Sequence, residues 1–319
     1  MAFKAHPPLA TAFMSDIDRA LELHRAARLA EAEVLYRQIL RTQPQHADAL
    51  HLLGVIAHQR GEHEAAVTQI AQAIHIDRGV AAYHNNLGEA LRALGKLDQA
   101  RAAYEQALSL RPTYADAHSN LGLVLHAQDK LAEAVAAFEQ ALALSPDAHT
   151  YLHFGDVLRD LNRLDGAIGA YNRALALRPE FAQACNNLGA ALRQQGKLEE
   201  ALAVLKRALT LDADYAEAYY NFGIALADCG KQDDAIAAYR RALQLRPDLA
   251  EAHYNLALVL QREGQLADAI TAYEQALALR PNDHEAFNNL GHALLAQGRL
   301  EEAWTAFERA LATQPGFAD

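Results

Sequence analysis

The sequence predicts an all-α protein, a solenoid of about nine stacked helix pairs, and three observations lead there. A glycine recurs on a fixed beat. Gly54, Gly88 and Gly122 are 34 residues apart, Gly155 follows after 33, and Gly189, Gly223 and Gly291 resume the 34-residue period with Ala257 in the slot between. Other columns keep the same beat: a small residue twelve after each glycine (Ala66 through Ala303), a bulky one four later (Ile70, Tyr104, Phe138 through Phe307), and alanine three later still. Between these columns the apolar residues fall at helical spacing, not at the alternation of strands.

The first unit, 13–46, is the weakest copy, with Ala20, Ala32, Tyr36 and Pro44 in register. Unit 47–80 has Gly54, Ala66 and Ile70 but Arg78 in place of the closing proline. Unit 81–114 shows the design openly. Tyr83, Leu87, Ala90, Leu91 and Leu94 form one apolar stripe ended by Gly95, and Leu97, Ala100, Tyr104, Ala107 and Leu108 form a second ended by Pro112. Unit 115–147 carries Gly122, Ala134, Phe138 and Pro146 and is one residue short. Units 148–181, 182–215, 216–249, 250–283 and 284–317 follow, closing on Pro179, Ala213, Pro247, Pro281 and Pro315. A glycine inside a helix costs about 1 kcal/mol relative to alanine, so its recurrence needs a compensating reason. The expectation is that Gly88 lets the second helix approach near Ala100, while Tyr104 fills the junction with the following unit.

These columns resemble the tetratricopeptide repeat over nearly the whole chain. The resemblance implies a right-handed superhelix with first helices inside and second helices outside, and a concave groove that binds an extended peptide or protein segment. Two residues before each glycine runs a polar column, Asn86, Asn120, His153, Asn187, Asn221, Asn255 and Asn289. Each amide offers two donors and an acceptor, so the ladder suits a peptide backbone. Similar ladders occur in the repeat arms of O-linked N-acetylglucosamine transferases. The adjacent column contains Tyr220 and Tyr254, groove candidates for apolar contact, while Tyr219 is expected in the inter-helix core. Arg92, Arg159 and Arg193 share a column with His58 and His126 and suit acidic side chains of a ligand, or simply answer the helix dipole. Asp48, Asp116, Glu217, Glu251 and Glu285 open helices, where the same dipole favours them. A carboxylate clamp of the chaperone-binding kind is excluded, because its lysine column holds Asn85, Ser119, Leu152 and Asn186.

The remaining composition narrows the field. A net charge of -11 disfavours nucleic acid and anionic membrane. No stretch approaches twenty apolar residues, and Pro7 and Pro8 interrupt any leader in the N-terminal segment 1–12, which is expected to be disordered. Cys185 and Cys229 form no framework, so a reducing, cytoplasmic setting is expected. His58 and His63, and His46 and His51, lie close in sequence without zinc-site spacing. No metal, cofactor or catalytic motif is expected, and the repeats occupy 13–317.

Two irregular places stand out. Near Pro146 one residue is missing, the ladder becomes His153, and the next second helix contains Gly166 and Gly169, which suggests a local change of twist. At the other end Trp304, Phe307 and Leu311 lie where a tenth unit would pack, so a second copy of the chain or further sequence is expected to cover them. The expected function is a non-catalytic binding scaffold. The alternatives are a self-assembling module and a substrate-recruiting arm of a glycosyltransferase, the latter because RLAEAEVLYRQILRTQPQHADALHLLGVIAHQRGEHEAA resembles the start of bacterial Spindly-type proteins.

Overall fold

The structure, a computed structural model, describes residues 15–313, so segment 1–12 and Pro315 lie outside the described residues. Eighteen helices and no strand are found there. The chain divides into two compact units at the short repeat boundary, one ending at Pro146 and the other beginning at Asp147. The first holds α1 (Asp16–Arg25), α2 (Leu29–Thr42), α3 (Ala47–Gln59), α4 (His63–Ile76), α5 (Ala81–Ala93), α6 (Leu97–Leu110), α7 (Ala115–Ala127) and α8 (Leu131–Leu144). The second holds α9 (Ala148–Asp160), α10 (Leu164–Leu177), α11 (Ala182–Gln194), α12 (Leu198–Leu211), α13 (Ala216–Asp228), α14 (Gln232–Leu245), α15 (Ala250–Arg262), α16 (Leu266–Leu279), α17 (His284–Ala296) and α18 (Leu300–Thr313).

Each pair is joined by a turn that costs little. At the end of α5, Gly95 takes a φ of 71°, its N–H reaches the Arg92 carbonyl at 2.9 Å, and the Lys96 N–H reaches the Leu91 carbonyl at 3.0 Å. These bonds satisfy carbonyls that a helix end leaves open, and glycine enters the left-handed region without penalty. Asp129 fills the same position at φ 58°, which a short polar side chain tolerates.

The recurrent helix glycine has a different partner from the one its spacing suggests. A Cβ on Gly88 would lie 2.6 Å from the Tyr104 ring, and Ala100 is not among its nearest neighbours. The glycine is vacated for the bulky residue of its own repeat. Tyr104 then lies fully buried in a cluster that also reaches Val124 of the following repeat, so the expected junction contact is present as well. The same joint seats Phe307, whose ring sits 2.5 Å from where a Gly291 Cβ would be. Phe307 is therefore half-buried within its own repeat, whereas Trp304 and Leu311 are 68% and 43% exposed. Gly166 faces Leu158, and Gly169 meets nothing within 4 Å.

Candidate functional site

Contacts between helices locate an inner wall within each unit. In the first unit α3 touches α5 and α5 touches α7; in the second, α9, α11, α13, α15 and α17 touch in succession. Second helices make no comparable contact with one another among the described residues. First helices therefore lie closer together and line the concave side of each unit.

The asparagine column lies at these first-helix contacts, half-buried, and its amides are already engaged. Asn86 Nδ2 donates to His51 Nε2 at 2.9 Å, and Asn120 Nδ2 donates to Asn85 Oδ1 at 3.2 Å and Glu89 Oε1 at 3.0 Å. In the second unit Asn221 Nδ2 donates to Asn186 Oδ1 at 2.9 Å, Asn255 to the Tyr220 hydroxyl at 3.1 Å, and Asn289 to the Tyr254 hydroxyl at 2.9 Å. In each case an acceptor stands 35 residues back, one slot before the column position of the preceding repeat, which is Leu52 for Asn86 and an asparagine for the others. The exception has a clear cause. Leu152 occupies the acceptor slot facing Asn187, so that amide turns to Asp156 Oδ1 at 2.8 Å, an oxygen that also accepts from the Tyr171 hydroxyl at 2.8 Å. The column is thus a set of clasps between neighbouring repeats, a role its spacing does not disclose.

One hydrogen of an amide suffices for a clasp, and the rest of the group remains. Asn86 and Asn187 spend their oxygens on the preceding residues, Asn85 Nδ2 and Asn186 Nδ2, both at 3.1 Å. The oxygens of Asn221, Asn255 and Asn289 accept no hydrogen bond from the described residues. Tyr220 and Tyr254 are half-buried and tilt against Tyr239 and Tyr273, with ring centroids 6.2 and 6.0 Å apart. Burial, first among the causes, pushes both hydroxyls above the ordinary tyrosine range. Ile224 and Leu258, one helical turn after Tyr220 and Tyr254, are likewise partly buried against the same core cluster.

The arginine column is mixed. Arg193 donates to Asp228 of the next repeat at 3.1 Å, Arg159 pairs with Asp160 at 3.5 Å, and Arg92 is exposed in the last turn of α5. The acidic column does more than answer the helix dipole. The Tyr83 hydroxyl donates to Asp48 at 2.5 Å, Arg246 pairs with Glu217 at 2.6 Å, and Arg280 pairs with Glu251. Tyr219 departs from its expected place. It is half-buried and lines, with Phe222, Leu226, Lys206 and Asp234, a cavity of about 430 Å³ at the α12–α14 face.

Sequence reasoning named His51 only as a histidine without zinc-site spacing, and passed over Glu89 and Asp156. His51 is buried, its ring tilted by 32° against Tyr83 with centroids 4.5 Å apart, and burial lowers its pKa to about 4. The available signal was its register, since His51 heads the column that continues through Asn85 and Tyr220. Among the described residues no three His, Cys, Asp or Glu side chains gather as a metal site, and no helix is long and apolar enough to cross a membrane.

Comparison with known proteins agrees on the repeat. The profile described as TPR repeat matches residues 88–129, 155–193, 190–230 and 223–264, and profiles described as tetratricopeptide repeat match 17–81, 254–316 and 115–148. No match is found among curated proteins. Of solved structures 529 chains match, so likeness of fold by itself selects no function. A MamA crystal structure is 33% identical over 54% of this chain and 93% of that one, with a TM-score of 0.48. YrrB, described as a TPR protein with an unusual peptide-binding site, is 27% identical over 57% of this chain and 95% of that one, with a TM-score of 0.49. A chain of the APC/C hetero-tetramer Cut9-Hcn1 is 22% identical over 88% of this chain and 55% of that one, with a TM-score of 0.66, a likeness of fold.

Proposed function

The chain belongs to the tetratricopeptide repeat family, and from that premise we propose that the concave wall of its second unit binds an extended peptide or protein segment. One observation carries the reading: Asn221, Asn255 and Asn289 are each tethered by one N–H to the neighbouring repeat and keep an amide oxygen unspent. A tethered amide has already lost its rotamer freedom, so binding a ligand backbone costs less entropy. Tyr220 and Tyr254 add contact area at low rotamer cost, and Ile224 and Leu258, partly buried against the same cluster, offer apolar surface to a ligand side chain. Arg92 is exposed and Arg159 and Arg193 are paired at the surface, where each can turn to an acidic group of a ligand, and Asn86, Asn120 and Asn187 serve first as parts of the scaffold.

Selection of a random-sequence displayed peptide library on the wild-type protein tests the reading. Enriched peptides should lose at least about ten-fold in affinity, or 1.4 kcal/mol, for the triple variant Asn221→Ala, Asn255→Ala, Asn289→Ala. Peptides that bind the folded triple variant unchanged would dismiss the groove. A second reading, self-assembly, is supported by the exposed face of α18, where Trp304, Leu300 and Leu311 are 68%, 64% and 43% exposed. The same triple variant separates the two, because it leaves that face intact. The finer role of a glycosyltransferase arm is supported by the resemblance of the opening repeats alone.

A further inference from the structure

One pair of side chains has a geometry that neither the fold nor the groove requires. His58 lies in the last turn of α3 and His63 is the first residue of α4, so the two face each other across the helix-to-helix turn. Their Nδ1 atoms are 3.1 Å apart, their ring centroids 4.9 Å apart, and their planes inclined by 50°. The turn that holds them is well bonded. Gly61 takes a φ of 81°, its N–H reaches the His58 carbonyl at 3.0 Å, and the Glu62 N–H reaches the Ala57 carbonyl at 2.9 Å. Both rings are half-buried, which restricts their rotamers.

Two arrangements produce a short nitrogen–nitrogen distance. In a straight N–H···N hydrogen bond each ring axis points at the other nitrogen, which would set the centroids about 5.4 Å apart. Two lone pairs that converge on one ion about 2.0–2.1 Å from each nitrogen would instead set the centroids about 4.8 Å apart. The observed 4.9 Å matches convergence, a geometry that a bent N–H···N hydrogen bond between the two rings shares in the metal-free chain. The corresponding angle at the ion would be about 98°, between octahedral and tetrahedral values.

We propose that His58 and His63 chelate one divalent transition-metal ion of the imidazole-preferring class, zinc, nickel or copper, through their Nδ1 atoms. Two nitrogens leave further positions to water or to a donor carried by a partner. Of the charged groups on the neighbouring repeat, Glu89 and Arg92 both act on His58, with opposite signs. The i,i+5 spacing is that of the histidine half of a zinc-finger pattern, but the paired cysteines that give that pattern its weight are missing, which is why the sequence did not signal the site.

Titration with zinc chloride, followed by the ring resonances of the histidines, tests the proposal. The His58 and His63 signals should move together to saturation at one ion per chain. His58→Gln and His63→Gln should each weaken that event at least ten-fold while keeping the helical circular dichroism and unfolding midpoint of the wild type. The other histidines of the chain, 15 in all with this pair, serve as internal controls. If the two signals stay still up to millimolar zinc, or if zinc binds both variants as it binds the wild type, the site does not exist.

Discussion

Between the two units the clasp keeps its donor and changes its acceptor. In the first, Asn86 leans on an imidazole and Asn120 on an amide and a carboxylate. In the second, Asn221, Asn255 and Asn289 lean on an amide and two phenols. Geometry is shared because the repeat brings the same two slots together every time. Chemistry is only partly shared: Asn85 and Asn186 present the same amide, while His51, Tyr220 and Tyr254 fill the slot with other groups that can take a hydrogen bond. The clasp can therefore respond to pH where its acceptor is the His51 imidazole and be indifferent where it is the Asn186 amide, on the same backbone.

The hardest test of what the units share is to empty the joint beneath the clasp. Tyr104 and Tyr239 are 0% and 2% exposed, each lying over a helix glycine. Tyr104→Ala and Tyr239→Ala should each cost about 4 kcal/mol, the range for large aromatic truncations in a core. Hydrogen exchange would read this as lost amide protection in α5–α7 for the first and in α13–α15 for the second. A cost below about 1 kcal/mol in either would mean the joint is not common to both.

A smaller effect sharpens the difference between the acceptors. Unfolded His51 protonates near its ordinary value of 6.5, but burial holds the folded group at about 4. Between those values the unfolded chain binds more protons, so the stability from a neutral His51 is complete above pH 6.5 and drains away as pH falls towards 4. The total is about 3 kcal/mol. Protonation also removes the lone pair that accepts from Asn86. His51→Gln keeps an acceptor without a titration, so its urea midpoint should fall less between pH 7 and pH 4.5 than that of the wild type. Parallel pH profiles would exclude His51 as the source.

Much of the fold was legible because repetition multiplies a weak signal. The glycine beat, the paired stripes of 81–114 and Gly95 point to helices that turn where α5 and α6 do. The site was less legible. Periodicity tells which face a residue occupies, but not which neighbour it meets across that face. Nothing in the spacing of Gly88 distinguishes Ala100 from Tyr104 as the side chain that needs its room, since both lie on the facing helix. The asparagine ladder was visible as a column, but its clasps join residues 35 apart, one more than the repeat, because the bond runs diagonally between adjacent columns. Ala257 shows the limit from the other side. It replaces the glycine while Tyr273 stays fully buried, its hydroxyl donating to Gln261 at 2.7 Å. A missing column member is therefore not a missing joint.

The subtlest comparison lies within the second unit. Asn187 donates to Asp156, a carboxylate 17% exposed, whereas Asn221 donates to the neutral amide of Asn186. Hydrogen bonds to charged groups contribute about 1.5–3 kcal/mol and neutral ones about 0.5–1.5. Asn187→Ala should then cost about 2 kcal/mol and Asn221→Ala about 1, measured by urea unfolding. Truncation also removes packing, so the informative quantity is the coupling energy from two double-mutant cycles, Asn187→Ala with Asp156→Ala and Asn221→Ala with Asn186→Ala. The first coupling should exceed the second. Equal couplings would show that the short repeat merely reroutes a clasp, while a larger one at Asp156 would show that losing the acceptor at Leu152 is offset by a stronger bond one turn further along α9.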